Sequence, residues 1–114
     1  MKAVRFHESA RQEFADEALY YGAISPKLGE RFVVAVEAAM QLASEFPSMG
    51  SPYRYGTRRA FPKRFRFSIV YVERGDELLV LAVAPFARKP GYWHSRQLED
   101  SRQGFYDAVP NPWA

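Results

Sequence analysis

The residues best equipped for chemistry lie in one stretch, Arg88-Lys89-Pro90-Gly91-Tyr92-Trp93-His94-Ser95-Arg96. Arg88, Lys89 and Arg96 carry positive charge, and Tyr92 and Trp93 stand side by side after a Pro-Gly turn. A guanidinium holds two phosphate oxygens through its planar fork. Aromatic rings stack unpaired bases. The combination suits a surface that binds phosphates and stacks bases. The competing arrangement is structural: Tyr92 and Trp93 close a core at the end of a sheet while the charges face water. Composition alone leans slightly toward the structural arrangement; the distribution of charge leans the other way.

The net charge of +3 is modest, yet residues 54–96 hold ten bases against three acids and the remainder of the chain is at −4. Between Pro47 and Val72 there are six bases, Arg54, Arg58, Arg59, Lys63, Arg64 and Arg66, and no acid. Such asymmetry points to a polyanion or an acidic protein partner, whereas a solvated strand face is the plainer explanation. With 114 residues and 47% hydrophobic content the chain is expected to form one folded domain. It contains no cysteine, which excludes disulfides, thiolate chemistry and zinc–thiolate sites. His7 and His94 are far apart and make no convincing metal site. No segment reads as a signal peptide or a membrane span, so a cytoplasmic protein without membrane contact is expected. Phosphate-binding glycine loops, Ser-His-Asp patterns and cofactor fingerprints are lacking, and any activity should be cofactor-free.

The elements that must position these residues follow from periodicity. Lys2–Phe6 alternates as a strand. Ala10, Phe14, Ala18 and Tyr21 share one face of a helix expected over about 8–21, broken by Gly22-Ala23-Ile24. Ser25 is placed as an N-cap with Pro26 at the first helical position. The second helix, about 26–45, carries Leu28, Phe32, Val36, Met40 and Ala43 as its apolar stripe, and the two should form a hairpin. Glu13, Asp16 and Glu17 are read as helix surface, and His7 as a cap or flank of the first helix. The second half is strand-like: 58–61, then 65–72 with Phe65, Phe67, Ile69 and Tyr71 on one face, then 78–84 after a Gly75-Asp76 turn. The expectation is an α+β domain, a small antiparallel or mixed sheet with an N-terminal helical hairpin on one face, in the order β-α-α-β-β-β. It should span residues 1–96, with 97–114 as a tail of unassigned structure.

This order resembles the RelE/ParE family of bacterial type II toxins. Ala18-Leu19-Tyr20-Tyr21 leading to Leu28-Gly29-Glu30-Arg31-Phe32 is similar to the family's hairpin. The run Arg58–Tyr71 resembles its basic strand followed by an aromatic strand ending in Tyr. Leu81-Ala82-Val83-Ala84 with Arg88–Trp93 and Arg96 resembles its closing signature. The resemblance implies a plasmid-stabilization-type toxin neutralised by a cognate acidic antitoxin. RelE-like members cut mRNA on the ribosome, whereas ParE-like members inhibit DNA gyrase. Many members carry a His where this chain has Pro85.

Cleavage of RNA by its own 2′-hydroxyl needs a base, a cation for the charged transition state and an acid for the leaving oxygen. Arg88, Arg66, Lys63 and Tyr92 are the candidate catalytic residues. Arg58, Arg59, Arg64, Trp93 and Arg96 are the candidate nucleic-acid contacts. Arg59 and Arg64 would add to the cationic field, and Tyr92 or Trp93 would stack a base. His94, Tyr92 and a Lys63 of lowered pKa are the possible bases, none with an evident partner. Each has a bland counterpart: Trp93 as a core lid, Arg66 as a surface arginine. The leading expectation is a ribosome-dependent endoribonuclease acting on mRNA without metal. A gyrase inhibitor and a non-toxic partner-binding domain are the alternatives.

Overall fold

A computed structural model describes residues 1–98 and 104–107. Its elements are β1 (Ala3–His7), α1 (Glu8–Ile24), α2 (Pro26–Glu45), β2 (Ser51–Pro52), β3 (Arg58–Ala60), β4 (Phe67–Arg74), β5 (Glu77–Pro85), α3 (His94–Gln97) and β6 (Phe105–Asp107). The strands form one mixed sheet in the order β2-β3-β4-β5-β1-β6, in which only β1 and β5 run parallel. The α+β class and the order of helices and main strands are those expected, with β2 and β6 added at the two edges.

Gly22 does not end α1, which runs on to Ile24. One glycine costs a helix about 1 kcal/mol, and packing offsets that. The stop comes from Pro26, which disfavours a helical conformation at the residue before it. Ser25 is extended, and its Oγ accepts the Leu28 N–H to cap α2. His7 caps α1 in the same way, its Nδ1 accepting from the Ser9 N–H.

The α1–α2 hairpin covers one face of the sheet. Phe14, Phe32, Val36 and Met40 meet Phe67, Ile69, Tyr71, Leu78 and Val80 there. Tyr21, Phe32, Phe65 and Phe67 interlock with ring centroids 5.1–6.4 Å apart. Tyr71 reaches through to donate its hydroxyl to the Pro47 carbonyl. That approach requires Gly50, where a Cβ would lie 2.1 Å from the Tyr71 Oη.

The opposite face carries its own smaller core of Val70, Leu79, Leu81, Ala82, Trp93 and Phe105. A bulge makes this possible. Val70 pairs with Ala82 and Tyr71 with Val80, so Leu81 is the extra residue and the inward set of β5 changes face there. Gly75, at φ 58°, is the first of the two residues joining β4 to β5, where a tight hairpin needs a positive φ. Tyr55 adopts φ 61°, and its ring stacks on His94 at 3.7 Å and meets Trp93 edge-on, which fixes the loop before β3 over α3.

Part of the 97–114 segment joins the sheet: β6 pairs antiparallel with β1, and Phe105 is buried edge-on against His7. Trp113 and the rest of 108–114 lie outside the described residues, as do 99–103.

Candidate functional site

The site is built around a gap in the sheet. β1 pairs with β5 only as far as Phe6 opposite Val80, because the chain turns into α1 at Glu8. Beyond that point no strand among the described residues pairs with the outer edge of β5, and buried backbone groups left unpaired are costly. Two side chains take the place of the strand. The Val83 N–H donates to Glu13 Oε1 at 3.1 Å, and Arg96 Nη1 donates to the Leu81 carbonyl at 2.9 Å. Arg96 then holds Glu13 with both arms of its fork, at 3.0 and 3.2 Å.

Glu13 has two further partners. The Tyr92 hydroxyl donates to its Oε2 at 2.8 Å, and Arg88 Nη1 lies 3.5 Å from the same oxygen. The Arg88 guanidinium rests over the Tyr92 ring, 3.6 Å from its centre. Glu13 and Arg96 are nearly enclosed, at 15% and 14% side-chain exposure, whereas Arg88 is at 49%. Burial, and then the bond to Glu13, push the Tyr92 phenol well above the ordinary tyrosine range. Its proton stays on the oxygen at any physiological pH.

Reading Glu13 as helix surface is therefore corrected. It stands at the centre of the site. The available signal was its spacing, three residues after Ala10 and one before Phe14, which puts it on the flank of the buried stripe. Glu17 occupies the next equivalent position, and its pKa is raised by burial and then by Asp16. A flank position faces water or the sheet according to what the sheet offers, and that cannot be read from α1.

A cleft of about 130 Å³ opens beside the cluster, lined by Tyr53, Arg59, Ser68, Arg88, Tyr92 and Trp93 among others. Arg59 lies over the Tyr53 ring at 4.0 Å, and its Nε is buried without a hydrogen-bond partner. Trp93 is 1% exposed and serves as the lid of the second core. His94 is taken up by its stack on Tyr55.

The fold thus brings together Arg88, Tyr92 and Arg96 around Glu13, with Arg59 and Trp93 alongside. It does not bring the other candidates there. Arg58 donates to the Gly50 carbonyl at 2.7 Å. Lys63 and Arg64 are exposed in the loop before β4. Arg66 precedes β4 and lies 5.5 Å from the Phe86 ring, lining a separate cleft with Glu17, Tyr21 and Arg64. Among the described residues no group of acidic, His or Cys side chains could hold a metal ion, and no helix is long and apolar enough to cross a membrane.

The family model for ParE toxin of type II toxin-antitoxin system, parDE, matches residues 4–90. The chain belongs to the ParE toxin family. No curated protein and no solved structure matches it closely enough to add to this. Membership makes it a toxin-type component whose partner is an antitoxin. The matched span contains Glu13, Arg59 and Arg88, while Tyr92, Trp93 and Arg96 lie beyond it.

Proposed function

We propose that this ParE-family chain is a toxin that acts by binding DNA gyrase rather than by cutting mRNA. The observation that carries this reading is the engagement of Glu13 by Arg96, Tyr92, Arg88 and the Val83 N–H. A general base needs a free lone pair within reach of the proton it takes. Among the described residues the carboxylate beside Arg88 is fully occupied, the Tyr92 oxygen keeps its proton, and His94 is not in the lining of the cleft. The end of β5 offers Pro85, which has no acid–base group. What remains exposed is cationic: Lys63, Arg64, Arg66, Arg88 and Lys89. Such a surface favours an acidic protein face or a DNA-bound complex. It also suits neutralisation by an acidic antitoxin segment.

The mRNA-cleavage reading has one observation in its favour, the small cleft that Arg59 and Arg88 both line. In that reading Arg88 would stabilise the transition state, while Lys63, Arg66 and Tyr92 would have to act from where they now stand.

Two assays with the purified protein decide. In a gyrase supercoiling reaction the protein is expected to stop supercoiling. In cell-free translation of a defined mRNA, with 5′ ends mapped, the RNA is expected to stay intact. Ribosome-dependent cuts with unaffected gyrase would overturn the proposal. Normal growth on induced expression would point to the non-toxic binding domain.

A further inference from the structure

Phe61 directly follows β3 and Phe86 directly follows β5, and β4 lies between those two strands. The two rings meet across the start of β4, with centroids 6.0 Å apart and planes at 81°, and each residue is 47% exposed. A single exposed phenylalanine is ordinary on a protein surface, whereas two in contact leave a joined apolar patch in water. The backbone holds them there. The Phe86 N–H donates to the Arg66 carbonyl and the Arg88 N–H to the Pro85 carbonyl, each at 3.0 Å. The turn after Phe61 is closed by the Phe65 N–H donating to the Pro62 carbonyl at 3.3 Å, with Arg64 at φ 72°.

We propose that this aromatic pair is the apolar anchor by which the chain grips gyrase, and that the face it meets is protein, acidic around an apolar centre. The inference rests on the gyrase reading above and gives it a contact surface. Charge supports it. Arg59 lies over the Phe61 ring at 5.2 Å and Arg66 over the Phe86 ring at 5.5 Å. Lys63, Arg64, Arg88 and Lys89 are exposed in the turns that carry the rings. The sequence has no acid between Pro47 and Val72 or between Leu78 and Leu98. Among the described residues lining the neighbouring cleft of about 660 Å³, Glu17 of α1 is the acid.

Geometry selects a protein face over nucleic acid. Bases stack on open aromatic faces. Here a guanidinium lies over each ring and the rings stand almost at right angles, so the pair offers an angle between two rings and no flat platform. That angle suits an apolar side chain, and the surrounding cations suit carboxylates on the rim. Aromatic and arginine side chains with few carboxylates are also the composition found at the centre of protein interfaces.

The test measures binding of the full chain to purified gyrase holoenzyme, and inhibition of supercoiling, with folding checked by circular dichroism. The wild type is compared with the Phe61→Ala/Phe86→Ala double variant, with Arg66→Glu, and with Val34→Ala at an exposed apolar residue of α2. The double variant is expected to bind about thirtyfold more weakly, as for the loss of a hot spot. Arg66→Glu leaves both rings in place; it is expected to slow association and to flatten the dependence of binding on salt. Val34→Ala should match the wild type. Wild-type affinity in the folded double variant, or in Arg66→Glu should the double variant not fold, would overturn this proposal and leave the gyrase reading standing. An equal loss in Val34→Ala would overturn it by showing that any exposed apolar residue serves. A wild type that neither binds nor inhibits gyrase would overturn both. In a parallel arm with a DNA duplex alone, wild-type binding that the double variant loses would assign the pair to nucleic acid and overturn the proposal.

Discussion

Glu13 and Arg96, 83 residues apart in the chain, meet through two hydrogen bonds beside the uncovered edge of β5. Each also satisfies a backbone group of that strand, the Val83 N–H and the Leu81 carbonyl. The ion pair thus substitutes for a missing strand, and it holds Arg88 and Tyr92 at the mouth of a cationic cleft. Structure and function are separable within this cluster, because the enclosed pair and the half-exposed Arg88 answer differently to substitution.

Glu13→Ala leaves Arg96 enclosed without its counterion and the Val83 N–H without an acceptor. Breaking one side of an enclosed pair costs about 3–5 kcal/mol. Glu13→Gln keeps one acceptor and the shape, and is expected to cost less. Urea unfolding monitored by circular dichroism gives both values. A cost for Glu13→Ala no larger than that of an ordinary surface change, about 0.5 kcal/mol, would remove Glu13 from its place as the substitute for a strand.

Arg88→Ala is expected to lower stability by less than about 1 kcal/mol, since the pair it makes is half-exposed. Under the proposed function it should nevertheless weaken growth inhibition on induced expression and gyrase inhibition in vitro, with an unchanged circular dichroism spectrum. Full toxicity in a folded Arg88→Ala protein would exclude the cleft from the toxic surface.

The raised Tyr92 pKa makes stability fall in alkali. Its folded pKa lies above the unfolded value of about 10, so its contribution is fully present below that pH. The contribution is lost as pH rises toward the folded value. Urea midpoints from about pH 8 to 11 should decline in the wild type, and Tyr92→Phe should make that decline shallower. An identical pH profile in the two proteins would mean that the hydroxyl is not held by Glu13.

Gly50→Ala pushes a Cβ against the Tyr71 Oη and breaks its bond to Pro47. Overpacking of this kind costs about 1–3 kcal/mol. Tyr71→Phe alone should cost about 1 kcal/mol for the lost hydrogen bond. The double variant should lie above the sum of the two in stability, because the clashing oxygen is gone. Strict additivity in the thermal unfolding of the three variants would show that the two groups do not meet.

Much of the fold was legible from local pattern. The period of α2, the Ser25-Pro26 start, the alternation through Phe67, Ile69 and Tyr71, and the Gly75-Asp76 turn each depend on residues close in sequence. The end of α1 was misplaced because glycine weakens a helix without stopping it, while the following proline does stop it. Arg88 and its neighbours stood out because charge beside aromatics is rare in both cores and loops. Glu13 did not stand out, since a carboxylate on the flank of an amphipathic helix is ordinary there. The strand edge it serves is contributed by residues 70 positions later.

The two long helices, the main strands, their order and the cationic second half follow from the order of amino acids alone, because they are properties of composition and short-range periodicity. Which charges are spent inside the protein and which face outward is settled in the assembled fold. Where β1 leaves the sheet sets an unpaired edge, and that edge draws Glu13 and Arg96 inward. The cost of an unsatisfied buried backbone group depends on strands that meet only in the folded chain.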